Sequence, residues 1–96
     1  MMLKNKKENE ILLIAQEECA EVTQAISKVF RFGFDAKHPK EKRNNRERLE
    51  EELGDLICMI GLLVENKIVD ETNLKNAAEM KLKKLRTWSN IFKEAA

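Results

Sequence analysis

Residues 51–64 read EELGDLICMIGLLV, and how this stretch is read decides the fold. Its head, with Leu49 just before it, is amphipathic: Leu49, Leu53, Leu56 and Ile57 share one side of a helix. Its tail, Leu56–Val64, is a nine-residue run that is apolar all round. A helix of that kind needs neighbours on more than one side. A 96-residue chain has few other elements to offer. The expectation is a homo-oligomer with this helix in its core, packed as a bundle.

Two further helices are predicted around it. The first spans about Glu8 to Phe30, with Ile11, Ile14, Ala15, Val22, Ala25, Ile26 and Val29 at helical spacing, and ends near Gly33 and Asp35 in the breaker RFGFD. The polar segment DAKHPKEKRNN carries Pro39, the only proline, and reads as a loop. Asn44 or Asn45 caps the central helix, expected from Arg46 to Glu65. Asp70 or Thr72 caps the third, expected to run to Lys93 with Leu74, Ala77, Ala78, Leu82, Leu85, Trp88 and Phe92 on one face. There is no strand pattern and no internal repeat. The fold class is all-α, a helical bundle, with residues 1–96 as one domain.

Composition narrows the function. Eighteen basic residues nearly balance seventeen acidic ones, so nothing in the net charge draws the chain to nucleic acid or to a membrane surface. No zinc-finger or helix-turn-helix pattern is present, and no nucleic-acid or membrane partner is expected. The opening MMLKNKKENE has no apolar leader core, and nine apolar residues are too few to span a bilayer. A cytoplasmic location follows as the expectation. Cys19 and Cys58 sit in apolar helical surroundings and read as buried thiols of a reducing compartment. With His38 they lack any paired ligand spacing, so no zinc site is read.

The informative anomaly is acidic. At about 100° per residue, Glu18 falls between Ile11 and Ala25, in the middle of the first helix's apolar stripe. Glu21 lies about 60° to one side and Glu17 about 40° further out. Glu18 and Glu21 are i, i+3 neighbours, as are Glu52 and Asp55, whose face continues into Met59 and Leu62. Such pairs are common on solvated helices, but here both run into apolar surface. Burying ionised carboxylates together is strongly unfavourable unless positive charge joins them. Hard oxygen ligands from two facing helices suit Mg²⁺ or Mn²⁺, and Mg²⁺ commonly bridges to substrate phosphates.

EECAE (Glu17 to Glu21) and EELGD (Glu51 to Asp55), the latter continuing into ELGDLICMI, resemble the EExxE…ExxD signature of the MazG-like all-α nucleoside triphosphate pyrophosphohydrolases. The resemblance covers roughly Glu10 to Arg86. Thirty residues separate Glu21 from Glu52, long for the family, so an enlarged loop is expected. The resemblance implies an all-α bundle assembled as a homodimer or homotetramer, and Mg²⁺-dependent hydrolysis of a nucleoside triphosphate to the monophosphate and pyrophosphate. It implies Glu18, Glu21, Glu52 and Asp55 as metal ligands. Glu17 is the expected base for the attacking water.

Positive charge for the departing pyrophosphate is expected from Lys81, which falls inside the third helix's apolar stripe. MKLKK resembles the lysine-bearing stretch of the family's following helix, which implies Lys84 beside it. Of the basic loop residues Arg31, Lys37, Lys40, Lys42, Arg43, Arg46 and Arg48, most read as solvated charges, and Arg31, at the end of the first helix, is the one expected to contact phosphate. Phe32, Phe34 and Trp88 are available to stack on a base, though each reads equally as packing. The competing reading is a non-enzymatic helical interaction module whose acidic faces pair with a partner's lysines. The position of Glu18 in mid-stripe disfavours it.

Overall fold

The computed structural model describes residues 5–94, so the first four residues of the N-terminal stretch discussed above lie outside them. Three helices form: α1 (Lys6–Phe32), α2 (Asn45–Glu65) and α3 (Glu71–Trp88). Each boundary has a local chemical cause. The Asn5 side chain accepts from the backbone N–H of Lys7 and Glu8 at 2.9 and 3.3 Å, starting α1. Gly33, at φ 91°, stops it, its N–H donating to the Val29 carbonyl at 2.8 Å.

Asn44, not Asn45, caps α2 through a capping box. Its Oδ1 accepts from the Glu47 N–H at 2.9 Å while the Glu47 carboxylate accepts from the Asn44 N–H at 3.1 Å. Helix α2 closes in a Schellman motif: Ile68 N–H to the Leu63 carbonyl at 2.9 Å and Lys67 N–H to Val64 at 3.0 Å, with Lys67 held at φ 58°. Asp70 caps α3, accepting from Asn73 N–H at 3.0 Å.

Helix α3 ends five residues short of the expected Lys93. The Ser89 hydroxyl donates to the Leu85 carbonyl at 2.6 Å and accepts from the Ile91 N–H at 3.2 Å, which turns the chain before Phe92 can join the stripe.

Helices α1 and α2 pack antiparallel as a hairpin. Ile11, Ala15 and Met59 form its buried centre, with Ile14, Leu62, Leu63 and Ile68 packed against it. Of the stripe expected on α1, Val22 and Val29 are half-buried and Ile26 is exposed. Helix α3 makes at most marginal contact with the hairpin, and none of its residues is buried. The radius of gyration is therefore 16.9 Å, against about 12.5 Å for a compact chain of this length. Ile57 is 68% exposed and Trp88 84%. Cys19 and Cys58 are exposed as well, contrary to the expectation of buried thiols. Among the described residues no helix is long and apolar enough to cross a membrane.

The loop between α1 and α2 is tied down at both ends. Asn45, itself buried, donates from Nδ2 to the Gly33 carbonyl at 2.9 Å and from its N–H to Ala36 at 2.9 Å. Arg46 pairs with Asp35 at 2.7 Å and lies over the Phe34 ring at 4.9 Å.

Candidate metal centre

The antiparallel hairpin brings the two acidic motifs to the same level of the bundle. Glu18, Glu52 and Asp55 each offer a carboxylate oxygen, and these oxygens all lie within 4.8 Å of one another. Glu52 is buried at 8% exposure, Glu18 is half-buried and Asp55 is exposed. Helical spacing explains the set. Glu18 sits on the α1 face that carries Ile11 and Ala15, and Glu52 lies two turns before Met59 on the α2 face that meets it.

The electrostatics are unbalanced. Glu18 Oε2 is sealed from solvent and has no hydrogen-bond partner among the described residues. Burial pushes its carboxyl above the ordinary value of 4.5, and the charges of Asp55, Glu52, Glu21 and Glu17 push in the same direction. Among the described residues the nearest cation is Arg48, whose guanidinium stands 3.9 Å from Glu52 Oε1 and 3.7 Å from Glu41 Oε2. Both distances exceed hydrogen-bond range. The other arginines of this end are engaged elsewhere, Arg43 with Glu41 and Glu51, and Arg46 with Asp35. An orphaned buried oxygen among three converging carboxylates fits a hard divalent cation, which accepts oxygen ligands and cancels the repulsion.

The remaining expected residues divide. Glu21 is exposed and lines a small cleft with Glu52, beside the three-carboxylate group rather than within it. Glu17 is exposed on the outer side of the same turn. Arg31 is exposed and stacks over Phe32 at 4.9 Å. Lys81 and Lys84 are exposed on α3, which the chain does not fold against the acidic cluster.

Three residues outside the expected site set adjoin the centre: Lys28, Asn45 and Arg48 line the cleft together with Glu21 and Glu52. They also line a larger cavity of about 420 Å³ under the α1–α2 loop, walled by Phe32, Ala36 and Pro39 among others. Sequence signals for two of them exist. Arg48 precedes Glu52 by four residues, and Lys28 follows Glu21 by seven, each on the same helix face as its acid.

The family model described as the MazG nucleotide pyrophosphohydrolase domain matches residues 6–90. No curated protein and no solved structure matches the chain. The matched span takes in all three helices and both acidic motifs, and the chain belongs to the MazG nucleotide pyrophosphohydrolase domain family.

Proposed function

We propose that the protein is a Mg²⁺-dependent nucleoside triphosphate pyrophosphohydrolase, with Mn²⁺ as a substitute ion. It would hydrolyse the bond between the α and β phosphates, yielding a nucleoside monophosphate and pyrophosphate. The observation that carries this reading is the convergence of the Glu18, Glu52 and Asp55 carboxylates, with one Glu18 oxygen sealed and unpartnered among the described residues, in a chain of this family.

Glu18, Glu52 and Asp55 would hold the ion, with Glu21 completing the set from the adjoining cleft. When bound, such an ion supplies neutralisation of the polyphosphate charge and a lowered pKa for water at the site. The chain's own residues supply the rest. The exposed side of α1 leaves Glu17 in contact with solvent, where it takes the proton from the attacking water as the new P–O bond forms. The old P–O bond breaks and pyrophosphate leaves with the electron pair, so cationic side chains must face it. Lys81 and Lys84 reach the cluster only from the α3 of another copy. A homodimer or homotetramer is therefore part of the proposal, supported by the bare apolar sides of α2 and α3.

Incubation with Mg²⁺ and the four common dNTPs tests the reading. Monophosphate and pyrophosphate are the expected products. Release of inorganic phosphate with a diphosphate product contradicts the bond assignment. Glu18→Gln and Asp55→Asn should each abolish turnover with helicity intact, and turnover retained in both contradicts the site.

A further inference from the structure

Arg48 stands at a junction. It lines the cleft beside Glu52 and also the 420 Å³ loop cavity, and among the described residues Lys28 is the only other cation to line both. The Arg48 side chain is 28% exposed, and its two carboxylate contacts, at 3.7 and 3.9 Å, are too long to be hydrogen bonds. A guanidinium carries five N–H donors in a planar fork. Here that fork is half-buried and unfilled, between an acidic cluster on one side and an open cavity on the other. Lys28 makes no ion pair among the described residues.

We infer that Arg48, with Lys28 beside it, binds the polyphosphate of the substrate and guides it from the acidic cluster towards the loop cavity. The inference rests on the hydrolase reading above and assigns the phosphate contact to a residue other than Arg31, Lys81 or Lys84. A phosphate offers the paired oxygens that a guanidinium fork fits. With a cation beside Glu52, that carboxylate's pull on Arg48 weakens, and the arginine's charge becomes available to the phosphate. The cavity beyond, with apolar walls at Phe32, Ala36 and Pro39, is of the size of small-molecule sites, roughly 300–1,000 Å³. It leaves room for the uncharged end of the same molecule.

The test is calorimetry with two probes, Mn²⁺ alone and inorganic tripolyphosphate in the presence of Mn²⁺, on the wild type, Arg48→Gln, Arg48→Lys and Lys28→Gln. Arg48→Gln should weaken tripolyphosphate by about tenfold or more while Mn²⁺ binds as well as or better than in the wild type, because Glu52 has lost a competitor. Arg48→Lys should recover part of the loss, and Lys28→Gln should show a smaller one. Unchanged tripolyphosphate affinity in Arg48→Gln overturns the inference. So does a parallel loss of Mn²⁺ affinity, which would make Arg48 merely a prop for Glu52. Wild-type turnover of the four dNTPs is scored separately. No turnover, with the tripolyphosphate difference intact, sinks the hydrolase reading and leaves the Arg48 site standing.

Discussion

Replacing Ile57 by alanine should weaken the proposed homodimer without touching the hairpin. Ile57 is 68% exposed, and it lies about 160° around α2 from Met59, the residue buried against α1. Neither α1 nor α3 covers it within the chain. The substitution removes three carbons, each worth about 0.8 kcal/mol when fully buried. Scaled by the fraction now exposed, that is about 1.6 kcal/mol per copy once a second copy covers the side chain. A symmetric dimer carries the loss twice, about 3 kcal/mol, or roughly two orders of magnitude in its dissociation constant. Sedimentation equilibrium over a concentration series reads this directly, and Mn²⁺ affinity serves as a control because Ile57 faces away from the acids. An unchanged dissociation constant, or a wild type that is monomeric at every concentration, refutes the argument from the bare face of α2.

Two other outcomes are expected. Lys67 occupies the left-handed region at φ 58°, which costs an L-residue roughly 1–2 kcal/mol; after the unfolded-chain entropy of glycine is subtracted, Lys67→Gly should stabilise by about 0.5–1 kcal/mol, read as a rise in Tm of several degrees. For Glu18, burial and the neighbouring carboxylates hold the folded carboxyl above its ordinary 4.5, so its contribution to stability without metal is fully present below that pH and is lost as pH rises through the raised value; melting in chelator should show Glu18→Gln gaining on the wild type as pH rises above 4.5, and a difference that stays constant as pH rises contradicts the raised titration.

Much of the hairpin was legible because its signals are local. Asn44 with Glu47, Asp70, and Gly33 after a long apolar stripe each announce a helix end through a side chain or a backbone preference. Glu18 was legible for the opposite reason: it violates the periodicity that every other position in its stripe obeys. What escaped the sequence depends on contacts between distant residues or on chemistry with two outcomes. Ser89 reads as one more helical position until its hydroxyl takes the Leu85 carbonyl. An arginine four residues before a glutamate, as Arg48 before Glu52, looks like an ordinary solvated pair. Only the loop fold, fastened by Asn45 to Gly33 twelve residues away, encloses it beside a cavity. Cys19 and Cys58 are exposed although their neighbours in sequence are apolar, because periodicity tells which residues share a helix face and not which face meets a neighbour.

Titration of Mn²⁺ into the metal-free protein, followed by the loss of its free-ion electron paramagnetic resonance signal, tests the central claim most directly. The sealed Glu18 oxygen and its two carboxylate neighbours should bind the ion in the wild type, and Glu18→Gln should bind it at least about tenfold more weakly. Equal affinity in the two proteins, or no binding in the wild type, contradicts the account.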